Sequence, residues 1–437
     1  MILQEFSFGN FKSFKDIQTL NFLASSLTSK SPQVDSRNTF QPEGIPYRFL
    51  KSKAIYGANA SGKSNVVKAL GVFFLITIKS VGNETILENL DSFKLSTDTE
   101  SEPIFFQLVF WVDGVRYRYG FEADRKKIHS EWLYGKPSKR ELPYFIREGQ
   151  KILEYDKTNF NELHLLENIL EEAENEGEAF RTNSLLLGTL AAFGFKKSKL
   201  IVSNMEGTSI LSGLHDKRMR EVSQEVLDDK EARKDILNFL RIGDIGIHGI
   251  GKAEPVSSEE SEITSNEKQD GKIIVSVHLQ YDDNLKSTKQ IGFDFYGRES
   301  AGTQKLLDLS PFIFISLEAQ RTLIIDEFDA RLHPLLTQKI LELFNSEENK
   351  GAQLVFVTHD TNLLSPDLLR RDQIEFVEKD KYGASHLYSL ASIKGVRNDA
   401  AYEKDYIRGK YGAIPFLKNF EKLIYDNETI AENAETE

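Results

Sequence analysis

Eight residues constrain this chain more than any others. Gly57, Ala58, Asn59, Ala60, Ser61, Gly62, Lys63 and Ser64 spell GANASGKS, directly after a short apolar run at 53–56 and ahead of an apolar helical stretch ending near 78. A glycine-rich turn between a strand and a helix lets backbone N–H groups point inward, onto phosphates held at a helix N-terminus. In that setting Lys63 reaches the outer phosphates and the Ser64 hydroxyl ligates Mg²⁺. Two glycines and a lysine coincide by chance in on the order of a few per cent of chains this long. The strand before and the helix after favour nucleotide binding, by Gly57, Asn59, Ala60, Ser61, Gly62, Lys63, Ser64 and the adjoining Asn65.

Composition narrows the class around that loop. With 437 residues, 40% hydrophobic and 28% charged, the chain is long enough for one large globular domain with insertions or for two to three smaller ones. The absence of cysteine excludes disulfide frameworks, thiol catalysis, iron–sulfur clusters and cysteine-ligated zinc. A net charge of −12 disfavours affinity built on long-range attraction to phosphate backbones, though it leaves room for a local basic patch. The longest apolar stretch, 69–78, is about half of a bilayer span, and the start MILQEFSFGNFKSF lacks the pattern of a secretory signal. A cytoplasmic protein with no membrane partner is the expectation.

Along the chain, residues 2–14 alternate loosely around a Gly-Asn break and predict two short strands. From 103 to about 146 the residues are β-branched and aromatic around Asp113-Gly114, a strong hairpin signal. Between about 160 and 240 the pattern turns helical and charged, with candidates at 167–180 and 217–241, but no heptad persists as a coiled-coil arm requires. Residues 254–271 are polar and acidic and predict a flexible loop. After Ser300, continuous apolar strands alternate with helices, the pattern of a parallel sheet covered on both faces.

Three further elements carry chemistry. TLIIDE at 322–327 delivers two adjacent carboxylates to the C-terminal end of an apolar strand, where parallel sheets bind ligands. Asp326 is placed to hold the Mg²⁺ shell and Glu327 to act as general base on an attacking water. A solvated acidic strand end is the plainer reading of that segment taken alone. LVFVTHD at 354–360 brings His359 to the same sheet edge, in position to sense the γ-phosphate or orient the water. The fourth element, Ser300, Ala301, Gly302, Thr303 and Gln304, opens a helix about twenty residues before the acidic strand. Alone it is a helix start capped by Ser300 or Thr303.

In this order the four elements resemble the Walker A, signature, Walker B and switch-histidine motifs of ATP-binding cassette ATPases. More narrowly, NFKSF at 10–14, the split core and DEFDARLHP at 326–334 are similar to chromosome-maintenance and RecF-type heads, and above all to the OLD-like ATPases of bacterial defence operons. RGKYGAIP at 408–415 also looks like the last group. The resemblance covers roughly 1–100 and 290–415. It implies an α/β P-loop head with a mixed, largely parallel central sheet, an antiparallel β subdomain and a mainly helical insertion. The expected divisions are 1–158 (Walker A half and β subdomain), 159–271 (insertion) and 272–437 (signature, Walker B and switch histidine). The resemblance also implies Mg-ATP clasped between two copies, with Ser300, Gly302 and Gln304 of one facing the phosphate loop of the other. Two positions depart from the class: Leu332-His333-Pro334 stands where many relatives carry an aspartate, and neither Gln107 nor Gln150 stands out as a Q-loop glutamine.

OLD-like nucleases carry a TOPRIM domain after the ATPase, which needs an Asp-x-Asp. Residues 360–437 contain none, so nuclease activity in this chain is not expected. The leading expectation is an ATP hydrolase similar to the PARIS and RloA ATPases. Such a protein, a homo-oligomer, controls a separately encoded effector, with TOPRIM-type effectors and a phage-protein trigger in view. The alternative is a RecF-like DNA-repair ATPase that clamps duplex DNA, for which the basic clusters at 136–140 and 196–199 are candidate contacts. Each cluster reads more simply as a solvated face.

Overall fold

A computed structural model describes residues 1–137, 139–164, 181–214, 217–243, 246–254 and 272–415. TLIID and QLVFV are apolar at almost every position, so their strands need cover on both faces. They lie inside a six-stranded sheet of order Ser209–Ser212, Thr322–Asp326, Gln353–Val357, Ser52–Gly57, Ile374–Lys379, Ser385–Ser389. Every pairing is parallel except the last. Alternate residues feed two cores, Ile55, Ile324, Val355, Val357 and Val377 on one face, and Ala54, Leu323, Ile325, Leu354, Phe356 and Phe376 on the other.

The first core is closed by the helix Lys63–Lys79, which is buried on several sides because a second sheet covers it. That sheet is seven-stranded and antiparallel, in the order Lys151–Tyr155, Leu142–Glu148, Ile128–Lys136, Val115–Ala123, Ile104–Val112, Ile2–Gly9, Gln18–Asn21. Phe73 of the helix stacks on Phe121 at 5.7 Å and meets Phe6 edge-on at 5.6 Å, fixing the helix against the sheet. Asp113 and Gly114 both adopt positive φ in the expected two-residue hairpin. Residues 2–14 form one strand and a tight turn bridged from Phe11 to Phe14, and the next strand waits until Gln18.

Helices Ala301–Glu318, Pro334–Phe344, Lys217–Val226 and Lys230–Gly243 cover the second core. Within 159–271 the candidate at 217–241 is two helices, 217–226 and 230–243, broken at 227–229, and Ser209–Ser212 joins the parallel sheet beside Thr322–Asp326. Four residues between charged helices carry too short a pattern to announce a strand. A three-stranded antiparallel sheet, Gly249–Ala253, Ile273–Tyr281 and Ser287–Asp294, leads into the Ser300 turn. The helix candidate at 167–180 and, beyond residue 254, the acidic loop expected at 254–271 lie outside the described residues. No helix among the described residues is long and apolar enough to cross a membrane.

Candidate functional site

Strand order brings three chain-distant segments to the C-terminal edge of the parallel sheet. The loop at 57–62 leaves the strand Ser52–Gly57, Thr358–His359 leave the strand beside it, and Asp326–Glu327 leave the next strand over. Asn59, Ala60, Gly62, Lys63, Ser64, Asn65, Glu327, Val357 and His359 line one open cavity of about 660 Å³.

The loop closes tightly where the sequence has glycine. A Cβ on Gly57 would lie 2.3 Å from the Val377 carbonyl oxygen, and one on Gly62, where φ is 111°, would lie 2.6 Å from Ser385 Oγ. Ser385 donates from Oγ to the Ser61 carbonyl at 2.6 Å, so the antiparallel edge strand buttresses the loop. Asn65 donates to Ser13 Oγ at 2.9 Å, tying the NFKSF turn to the first helical turn. Lys12 instead pairs with Asp91 at 3.0 Å.

Several features fit a bound triphosphate. The helix Lys63–Lys79 starts with no side-chain cap and no acidic residue in its first turn, leaving its N-terminal dipole open to an anion. Ser61 Oγ is buried without a hydrogen-bond partner among the described residues. Lys63 Nζ folds back to donate to the carbonyls of Gly57 and Ala58, at 2.8 Å each. Burial lowers the Lys63 ammonium to about 8, against the opposing pull of Asp326, Glu327 and Asp329. A polyphosphate would add negative charge to that of these carboxylates and favour the charged lysine.

Ser64 Oγ donates to Asp326 Oδ1 at 3.1 Å, joining the two expected Mg²⁺ ligands. These oxygens suit a hard cation that keeps waters and phosphate oxygens in the rest of its shell. Glu327 adopts a left-handed backbone, φ 52°, which swings the chain off the strand end. Burial, followed by the nearby Lys63, lowers the His359 pKa, opposed by Asp329, Glu327 and Asp326. The imidazole is thereby biased toward its neutral form.

Asp329 is a site residue that sequence reasoning passed over. Its Oδ1 accepts from Thr358 Oγ1 at 2.7 Å and from the His359 amide at 3.2 Å, tying the Glu327 turn to the His359 turn. It stood inside the quoted DEFDARLHP, but its use depends on two strands being neighbours.

Ser300, Gly302 and Gln304 do not line this cavity. Ser300 is exposed and caps its helix, accepting from the Thr303 amide at 3.1 Å. Gly302 packs under the Arg331 carbonyl, which a Cβ would approach to 3.0 Å. Gln304 donates to the carbonyls of Tyr296 and Glu299, at 3.0 and 2.9 Å, so its amide braces the turn from behind.

A phosphate loop, two carboxylates and a histidine on one parallel sheet edge, with an exposed Ser300 turn opening a separate helix, define an α/β P-loop head of the ATP-binding cassette type. The chain belongs to the family described as "AAA domain, putative AbiEii toxin, Type IV TA system", whose model matches residues 54–181 and 213–365. No curated protein matches it. Among solved structures it is similar to the SMC head domain from Thermotoga maritima, at 13% identity over 89% of this chain and 99% of that one, with a TM-score of 0.38. It is also similar to an SmcHead bound to the C-winged helix domain of ScpA, at 15% identity over 89% and 97%, TM-score 0.40. A third is the Smc head domain with an extended coiled coil bound to the C-terminal domain of ScpA, derived from Pyrococcus furiosus, at 12% identity over 89% and 96%, TM-score 0.36.

Proposed function

We propose that this chain binds and hydrolyses Mg-ATP between two copies of itself, and that the ATP-held assembly controls a separately encoded effector in a defence or toxin-regulating system. The observation that carries the reading is the split of the machinery. Lys63, Ser64, Asp326, Glu327 and His359 converge, while Ser300 stands exposed elsewhere on the same chain. A second copy could bring its Ser300 helix N-terminus to the open cavity, where its dipole would favour the γ-phosphate.

In this reading Ser64 and Asp326 hold Mg²⁺, and the cation neutralises phosphate charge. Glu327 takes the proton of the attacking water, Lys63 neutralises the outer phosphates, and His359 orients the water or the γ-phosphate. Nucleotide then acts as adhesive between copies, and its loss on hydrolysis lets them part. Shifting an assembly from 1:99 to 99:1 takes about a 10⁴-fold preference for the closed form, which contacts from both copies can supply. Effector control is supported by the toxin–antitoxin wording of the family description and by the earlier resemblance to defence ATPases.

The test is the mass of the purified chain with and without Mg-ATP, co-expressed with its neighbouring gene. The expected outcome is a larger assembly in Mg-ATP that carries a second protein. A monomer under both conditions would refute the shared site, and a partner that neither copurifies nor alters cell survival would refute effector control.

A further inference from the structure

Lys305 lies in the second turn of the helix that Ser300 opens, and it is only 1% exposed. Its Nζ donates at 2.8 Å to the carbonyl of Gly213, the first residue after the strand Ser209–Ser212. The Gly213 amide in turn donates at 2.7 Å to the Asp326 carbonyl. A Cβ on Gly213 would lie 2.0 Å from the Glu327 carbonyl oxygen, so the strand end presses against the turn that carries both carboxylates. That turn depends on a left-handed φ of 52° at Glu327, a conformation that persists only where its surroundings enforce it. A continuous path of backbone and side-chain contacts therefore runs from the signature helix to the carboxylate turn of the same chain.

We infer that Lys305 is a positioning residue coupling the two sites of the assembly, so that docking of one copy's Ser300 helix on its neighbour's nucleotide sets Glu327 for hydrolysis in that copy's own site. This inference rests on the proposed two-copy site. The helix Ala301–Glu318 is a stiff lever with a hydrogen-bond anchor near the end that would meet nucleotide. A charged donor on a carbonyl is among the stronger and more directional hydrogen bonds. A lysine serving only to fill the core would contribute stability and leave the rate law of the folded protein alone.

The test uses the full chain with Lys305→Met, which keeps length and removes the donor, and Lys305→Arg, which keeps a donor. In nucleotide-free protein, Lys305→Met should speed hydrogen exchange at the Gly213 amide while the amides of 322–326 stay protected. With Mg-ATP it should bind nucleotide and assemble at wild-type concentrations. Its kcat should fall at least tenfold at unchanged KM, cooperativity in ATP should be lost, and Lys305→Arg should recover most of the rate. Wild-type kcat and cooperativity in Lys305→Met would overturn the inference, as would a rate loss matched by an equal loss of folded protein. If Lys305→Met does not fold, Lys305→Gln, shorter and uncharged, decides: altered kcat or cooperativity at unchanged KM supports the inference, and a wild-type rate curve overturns it. Wild-type protein that neither assembles with Mg-ATP nor hydrolyses it would overturn the proposed function itself, a different result from coupling that survives Lys305→Met.

Discussion

The Ser64 hydroxyl and the Asp326 carboxylate, on segments far apart in the chain, share a 3.1 Å hydrogen bond past the end of the intervening strand Gln353–Val357. Both oxygens are hard donors suited to Mg²⁺, and the spacing lets a cation enter by replacing the hydroxyl proton's contact with its own. Asp326→Asn keeps the shape and removes the charge. We expect ATP affinity in Mg²⁺ to fall at least tenfold and affinity in EDTA to change little, as read by calorimetry. Equal losses with and without Mg²⁺ would remove Asp326 from the metal shell.

Glu327 lines the cavity that holds Lys63 and His359, one residue beyond Asp326, the proposed metal ligand. In its proposed role as general base it would contribute to the chemical step and little to nucleotide binding. Glu327→Gln should slow phosphate release by roughly 10²- to 10⁴-fold. The same variant should hold the Mg-ATP assembly together for longer, which light scattering after ATP addition would follow. Hydrolysis at the wild-type rate would assign the base elsewhere.

Lys63 gives the site a pH signature. Burial holds its ammonium at about 8 in the free protein. Triphosphate charge would raise that value on binding, so between the two values binding takes up a proton. Affinity should therefore be flat below about pH 8 and fall above it, by up to about tenfold per pH unit. Calorimetry at pH 9 in buffers of different ionisation enthalpy should register the uptake, and Lys63→Met should abolish both the uptake and the slope.

Asp329 links the turns of Glu327 and His359 through Thr358 Oγ1 and the His359 amide. Asp329→Ala leaves both donors without their acceptor and frees the histidine turn to move. Because the residue does not line the cavity, ATP affinity should stay within about threefold while kcat drops by about 10- to 100-fold, much as when supporting residues around a ligand shell are removed. A loss confined to affinity would contradict this assignment.

Much of this arrangement was legible in the sequence because its signals are local. GANASGKS between a strand and a helix, TLIIDE, and LVFVTHD each state both their secondary structure and the sheet edge where they end, and the strands fall at Ser52–Gly57, Thr322–Asp326 and Gln353–Val357. The hairpin at Asp113-Gly114 was equally local. What escaped notice depends on contacts between distant segments. Ser209–Ser212 is a strand only because Thr322–Asp326 offers it an edge. The glycine at 213 matters only against Glu327, and Asp329 only against Thr358. Periodicity and motif spacing do not encode which strands become neighbours.

The antiparallel sheet holds its own test of how the two halves are joined. Glu131 and Arg147, both fully buried, pair at 3.0 Å. Glu131 also accepts from Tyr119 at 2.9 Å and from the amides of Leu186 and Leu187, at 2.6 and 3.0 Å, at the start of the helix Leu186–Ala192. One carboxylate therefore ties the sheet to a segment of the 159–271 stretch and satisfies orphan amides at a helix start. Removing it takes the buried carboxylate from the Arg147 guanidinium, whose pKa burial already lowers and which keeps its hydrogen bonds to the carbonyls of Gly149 and Ser184. Glu131→Ala should cost about 3–5 kcal/mol in denaturant unfolding, and Glu131→Gln, whose single acceptor oxygen can serve only one of the two amides, somewhat less. The protein that remains folded should bind ATP with unchanged affinity, because Glu131 lies in the antiparallel sheet and lines no part of the nucleotide cavity. A matching loss of affinity would mean that this junction and the site respond as one unit.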